Sequence, residues 1–455
     1  MSNFPELERV IREWVYEAVD VLSQRQPPQV SVETLGWQLD HDGVFRNRAR
    51  QAHTWNDVGP ADLRQLRTWG VVEAVFNEDP VLRAHVGQLV GTARSASTFD
   101  PWMAAMSLIP RPDQARNFED EFAAHYSQLD RFLGSSKLEH MVVWPISGLT
   151  ANSFPVNLEP GIKLDRMSDS EMENALNVGL IKPRFPRLSV LTRDKVVHTC
   201  LHHTYHLPKL IEPWEHEPQD QTAVLTRVEG IINEVSSTFQ QLLALLFFDV
   251  PHLLGRLDLA HECPTIGHGV GYNVSSLSTQ QLSCTLHLDD DAVTRVQEWW
   301  QVLRRPGTRH KALALAIRRM HYRTQRDRVD DELIDVMIAA EALYLSDVGS
   351  NELGFRLALR ASAWCKPSHL DMSRREVFDL MKSAYKIRCA IVHGDEPKQA
   401  DIVAKGDRVP LSRFVEITEK VVRQGLQTAI SEATQGHAWP PDWDGIILRP
   451  MQNSP

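Results

Sequence analysis

YKIRCAIVHGD, residues Tyr385–Asp395, decides how this chain is read. It has the pattern of the last turns of a buried helix, with Gly394 where a helix ends in a left-handed residue. The same turns carry Arg388 and His393. Arginine stays charged and grips phosphate oxygens through two parallel N–H bonds. Histidine titrates near neutrality and suits proton transfer. A phosphate binder and a proton-transfer group on one helix end raise the question of what they do together, and R-x4-H by itself is a weak signal that occurs by chance in many chains.

Outward from this stretch, the last third is helical. Apolar residues at helical spacing predict helices over Asp289–Arg305, HKALALAIRRMHYRTQ, Asp330–Leu345, LGFRLALRASAW, the RREVFDLMKSAYKIRCAIVHG segment and Ser412–Ala433. The middle third alternates. HMVVWPI, GIKLDRM, RLSVLT and KVVHTCLHHTYHL are strand-like, Ser168 and Glu171 form a capping box before a helix, and Thr222–Phe248 reads as one long helix. A Gly/Pro/His-rich loop follows from His261 to Gly271. The first third is expected to be helical, with Glu6–Gln24, ADLRQLRTWGVVEAVF and NFEDEFAAHYSQLDRFLG as its helices. The fold class is thus α+β, mostly α. Its segments are a helical region (1–135), a mixed α/β region suited to sensing or regulation (136–285), a helical bundle (286–435) and an irregular Pro/Trp-rich tail (436–455).

The bulk composition bounds the function. The 455 residues are 42% hydrophobic and 24% charged, which is ordinary for a globular chain with room for two or three domains. No apolar run has the roughly 18 residues a membrane helix needs, and MSNFPELERVIREW has no signal-peptide pattern. A cytoplasmic protein without a membrane partner is expected. The five cysteines are scattered with no CxxC, against both a disulfide framework and a cysteine-rich zinc site. A net charge of −10 gives no overall field for nucleic acid, so such binding needs a local patch. Leu303–Arg328 supplies one, with nine Arg/Lys and a single acid. Arg318, Arg319, Arg323 and Arg326 are candidate RNA-backbone contacts and Tyr322 a stacking platform for a base; a solvated helix face paired with the acids at 330–332 is the plainer alternative.

LIDVMIAAEALYL, then LGFRLALRASAW, then Y-x-x-R-C-x-I-V-H-G stand in that order. Together they resemble the HEPN domain, in its Apea-like branch, over residues 286–435. The resemblance implies a small helical bundle that dimerises, so that the R-x4–6-H motifs of two protomers form one site. It implies a metal-independent endoribonuclease of anti-phage defence (abortive infection) or of toxin type, acting on RNA such as tRNA with no cofactor. A phage-derived trigger or an antitoxin would be its further partner. Other members of the family are non-catalytic and bind RNA, a nucleotide or a protein, which is the alternative reading. The family often has a polar residue after the arginine, where this chain has Cys389.

Cutting RNA without metal needs a base for the 2′-hydroxyl proton, an acid for the leaving 5′-oxygen, and positive charge on the transition state. Arg388 and His393 offer these groups, but on one ideal helix they point about 140° apart with about 7.5 Å of rise. A twofold axis that brings two copies together resolves this. Glu341 is a supporting candidate, able to orient Arg388 or His393, or else to pair with Arg356 or Arg360. Tyr385 and Cys389, one turn before Arg388 and one turn before His393, are further supporting candidates whose plainer role is core packing. His198, Cys200, His202 and His206 would share a strand face at spacing that can hold zinc. A polar sheet face is the simpler reading, and no metal is expected. GxxxxGK[ST], GxSxG and HExxH are absent.

Overall fold

The computed structural model describes residues 2–24, 29–40, 42–54, 63–92, 95–110, 117–181, 190–192, 199–213, 221–260, 270–273, 285–305, 310–349, 352–365, 370–397 and 402–448. The fold is mixed α and β, mostly α. The chain gathers into two compact units. Unit 1 comprises Met1–Ile146, Pro160–Glu234 and Leu253–Ser278, and unit 2 comprises Ser147–Glu159, Val235–His252 and Thr279–Pro455. These borders cut across the segments drawn at 136 and 286, because pieces of the middle third pack with the last third.

In unit 1, α1 (Pro5–Gln24) buries Leu7, Val10, Ile11, Trp14, Val15 and Ala18, the stripe its helical spacing predicts. Around it lie α2 (Arg67–Glu78), α3 (Pro80–Arg83), α4 (Pro101–Met106) and α5 (Phe118–Gly134). Trp14, Trp69 and Trp102 meet edge to face, with centroids 4.8 to 5.5 Å apart, as ring quadrupoles favour. The first third is not wholly helical. It also contains β1 (Gln29–Leu39) paired antiparallel with β2 (Val44–Thr54), and β3 (Gln88–Thr92) paired with β4 (Ser95–Thr98). The β1–β2 turn closes through Gly43, at φ +75°, whose N–H donates to the Asp40 carbonyl at 2.9 Å.

The middle third supplies β5 (Lys137–Ile146), β6 (Leu149–Ala151), β7 (Val156–Glu159), β8 (Ile162–Arg166), α6 (Asp169–Asn177), β9 (Val190–Thr192), β10 (Thr199–Pro208), β11 (Leu210–Pro213), α7 (Gln221–Leu246), β12 (Arg256–Ala260) and β13 (Val270–Asn273). β5, β8, β9 and β10 fall on the expected strands, of which residues 187–189 and 195–198 lie outside the described residues, and the capping box of α6 is present. Within unit 1, β5 sits inside an antiparallel sheet ordered β13-β12-β5-β10-β8. Most of the loop expected from His261 to Gly271 lies outside the described residues.

Unit 2 is the helical bundle. After β14 (Leu286–Leu288), which pairs parallel with β6, come α8 (Asp290–Leu303), α9 (Lys311–Arg323), α10 (Val329–Tyr344), α11 (Leu353–Trp364), α12 (Arg374–Val392) and α13 (Leu411–Thr434). Leu333, Val336, Met337, Ala340, Leu343 and Tyr344 of α10 are fully buried at helical spacing, so α10 is the central element. Gly425 of α13 lets it approach α10 closely; a Cβ there would overlap the Tyr344 hydroxyl. The tail expected to be irregular forms α14 (Trp443–Leu448). Trp439 and Trp443 are buried edge-on against Trp364, and the Arg360 guanidinium lies 5.1 Å over Trp443. Pro440 and Pro441 stand between the two tryptophans, ahead of the first turn of α14, so they interrupt no helical hydrogen bond.

His321, at the end of α9, is buried, with Nε2 3.1 Å from the Gln325 amide nitrogen. Burial, reinforced by His252, pulls its pKa down to about 4. Unfolded histidine titrates near 6.5, so between these values the unfolded chain holds the extra proton. Stability is therefore intact above about pH 6.5 and falls as pH drops toward 4, by on the order of 3 kcal/mol from this group. His321→Gln is expected to flatten that slope in urea melts at about pH 4.5 and about pH 7.

Candidate active site

The site is built on α12. Its N-terminus is fixed by a capping box. The Glu376 N–H donates to the Ser373 hydroxyl at 3.2 Å, and the Ser373 N–H donates to the Glu376 carboxylate at 2.7 Å. Its C-terminus is closed by Gly394 at φ +82°. Asp395 N–H donates to the Ala390 carbonyl at 2.9 Å and Gly394 N–H to the Ile391 carbonyl at 3.0 Å, the two bonds of a Schellman motif. His393 is the closing residue, as the glycine implies. Its imidazole is exposed and makes no hydrogen bond among the described residues.

Arg388 lies inward of His393 and half-buried. Its guanidinium pairs with Glu341 of α10 at 3.4 Å. Arg360 instead pairs with Asp347 at 2.5 Å and donates to the Tyr344 carbonyl. The Arg388–Glu341 contact is long for a charge-assisted bond. Arg388 Nε has no partner among the described residues. A guanidinium with five N–H donors and one long bond has capacity left for an anion. Burial pushes the Glu341 carboxyl above the usual carboxylate range, and Arg388 offsets part of that.

Tyr385 packs its ring on Gly354 of α11, where a Cβ would come within 2.8 Å of it. Burial raises its hydroxyl pKa, with Cys389, Glu341 and a hydrogen bond to Cys389 adding to the rise. Glu341, Tyr385, Arg388 and Cys389 are therefore brought together, and His393 stands one turn beyond Cys389. The Cys389 thiol is free of disulfides and half-buried against Tyr385, which fits a packing role better than that of a nucleophile.

The basic run divides. Arg318 and Tyr322 are exposed, and the Arg319 guanidinium lies 5.8 Å from the Tyr322 ring centre. Arg319 and Arg326 both grip Asp335, at 3.0 and 2.6 Å, and Asp335 is only 1% exposed. Arg328 pairs with Asp330 at 2.7 Å. Arg323 is not a surface contact: it is 5% exposed, bonded to Glu419 at 2.9 Å and to the Phe248 carbonyl at 2.7 Å. It continues the buried stripe of Leu313, Ala316 and Met320 on α9, so its helical position, not its charge, sets its place.

Two features near the site were not read from sequence. Val392, next to His393 on α12, is exposed at 52%, and Phe355 of α11, at 48%, lies further along α12 with its ring 5.6 Å from that of Phe378. A pocket of about 480 Å³ beside Gly394 is lined by Asp330, Asp395 and Glu396 with Arg328. Those carboxylates suit it poorly to phosphate. Of the proposed zinc face, His198 lies outside the described residues and His206 is exposed, 3.6 Å from Glu139, whereas Cys200 and His202 point into the core. Among the described residues, no helix is long and apolar enough to cross a membrane. No family model, curated protein or solved structure matches the chain.

Proposed function

We propose that the chain is a metal-independent endoribonuclease of HEPN type, cytoplasmic and active as a homodimer, in phage defence or as a toxin. The observation that carries the reading is Arg388: a half-buried guanidinium, paired with Glu341 but not saturated by it, on the helix that ends in an exposed histidine with no hydrogen bond among the described residues. Arg388 would bind the scissile phosphate. One His393 would take the 2′-hydroxyl proton as O2′ attacks phosphorus, and the partner copy's histidine would protonate the departing 5′-oxygen. The products are a 2′,3′-cyclic phosphate and a 5′-hydroxyl. Val392, exposed beside His393, suits an isologous contact between two copies, and Arg318 and Tyr322 are among the residues of the basic run open to RNA.

Total RNA and tRNA incubated with the protein in EDTA provide the test. Cleavage by wild type with cyclic-phosphate ends, lowered about 10²–10⁴-fold by His393→Ala, is the expected result. A folded dimer that binds RNA, leaves it intact and is harmless on expression would instead be a binding module. That outcome has one observation in its favour, the Cys389 thiol engaged by Tyr385 where relatives of this type often carry a polar group.

A further inference from the structure

Inside unit 1, three metal-ligand groups converge that the nuclease reading does not use. β10 places Cys200 and His202 two residues apart on one face, and the first turn of α6 brings Glu171 to them. His202 Nε2 is 3.0 Å from Glu171 Oε1 and 3.3 Å from Cys200 Sγ, and a ligand atom of each residue lies within 4.8 Å of the other two. The residues are buried, with Glu171, Cys200 and His202 at 6%, 0% and 5% exposure. Among the described residues this is the one such cluster. It sits on an apolar cluster that includes Trp37, Phe45, Val143, Met172 and Leu257.

Polar side chains in such a core must be satisfied. Both Glu171 and Cys200 face the same ring nitrogen, which carries either one proton or one lone pair. One hydrogen bond can form at Nε2, not two. A cation among the three atoms satisfies all of them at once. Zinc holds sulfur at about 2.3 Å and nitrogen or oxygen at about 2.0–2.2 Å, so its donors stand roughly 3.4–3.6 Å apart at tetrahedral angles. The observed spacings of 3.0 and 3.3 Å differ from this by a few tenths of an ångström. The Asp165 carbonyl oxygen, 3.5 Å from Cys200 Sγ, already stands at such a spacing from the sulfur. A thiolate with an imidazole selects zinc over the hard, oxygen-seeking cations.

We propose that Glu171, Cys200 and His202 form a structural zinc site that fastens α6 to β10, with the Asp165 carbonyl or a water as fourth donor. On binding, the Cys200 thiol gives its proton to solvent as the S–Zn bond forms, and no electrons are transferred. Burial assigns the ion a structural role, separate from RNA cleavage. The competing arrangement is a hydrogen-bonded triad, with Nε2–H donating to Glu171 and S–H to the Asp165 carbonyl.

Elemental analysis of the full chain, purified under reductant without chelator, separates the two. About one zinc per chain is expected, falling to background in Cys200→Ser and His202→Gln, with Glu171→Gln weakened but still capped at α6. Cobalt(II) added to metal-free protein is expected to give thiolate charge-transfer and tetrahedral d–d bands. EDTA is expected to lower the melting temperature of wild type and leave that of Cys200→Ser unmoved. Wild-type protein that carries no metal, takes up neither zinc nor cobalt on titration, and melts identically with and without EDTA overturns the proposal. That result needs no variant, so a Cys200→Ser chain that fails to fold leaves the test intact. RNA cleavage in EDTA is read below the metal-free melting temperature, so the zinc site and the nuclease stand or fall separately.

Discussion

Arg388→Lys is expected to slow RNA cleavage about 10²–10³-fold while leaving the melting temperature close to that of wild type. Lysine keeps a positive charge for Glu341, 3.4 Å from the guanidinium in the native site, so no half-buried carboxylate is stranded. What it lacks is the planar fork that can hold Glu341 with one edge and a phosphate with the other. On the proposed mechanism the loss belongs in the chemical step, because the fork would meet the charge that develops on the phosphorane-like transition state. Single-turnover rates in EDTA, beside a thermal melt, check both halves. A rate within about twofold of wild type, too small for a lost transition-state contact, would reduce Arg388 to an ion-pair residue. Arg388→Ala is the less informative change, since it also leaves Glu341 unpaired and confounds catalysis with stability.

Glu419→Ala is expected to destabilise the helical unit by about 3–5 kcal/mol, without any direct effect on the site. Glu419 is 0% exposed and is bonded to Arg323 at 2.9 Å and to Arg423. Arg323 is itself 5% exposed and has a second carboxylate, Glu332, only at 3.7 Å. Removing Glu419 leaves a guanidinium in the core without its nearest counter-charge, and desolvation of that charge is what costs. For a unit of this size the melting temperature should fall by roughly 6–20 °C. The pair Glu419→Met with Arg323→Met is expected to recover part of the loss, because the more deeply buried guanidinium goes with its partner and only Arg423, 14% exposed, is left without Glu419. Circular-dichroism melts of the single and double variants decide it; equal losses in both would assign the effect to packing alone.

How far the fold is legible depends on how local its cause is. The helices of unit 2 follow from apolar spacing and the capping box of α6 from Ser168 and Glu171, so they read directly from the sequence; the box of Ser373 and Glu376 has the same local signature but was not drawn from it. The β1–β2 hairpin was legible in principle, because Asp42-Gly43 is a turn dipeptide between two strand-length runs; the helical pattern on either side masked it. The burial of Trp439 and Trp443 was not, since it depends on Trp364 and Arg360 of another element. In the site, the closing place of His393 follows from Gly394 alone. The Glu341–Arg388 pair joins helices 47 positions apart and needed the fold. Arg323 shows the opposite error: its place on the buried stripe of α9 was readable, but a count of charges hides position.

The way the chain is threaded bears on its modularity. It crosses between the two units at 146/147, 159/160, 234/235, 252/253 and 278/279. The helical bundle takes Glu159 to bond Trp300 and Arg304, Leu245 for its core, and the Phe248 carbonyl for Arg323, all from upstream of its own long run. A gene fragment that begins at 286 would therefore encode a bundle missing part of its own interior. No single cut frees the complete bundle from the rest of the chain. A crossover anywhere between 147 and 278 separates segments of at least one unit, so the stretch that can be exchanged without splitting the bundle is longer than the bundle's own run from 279.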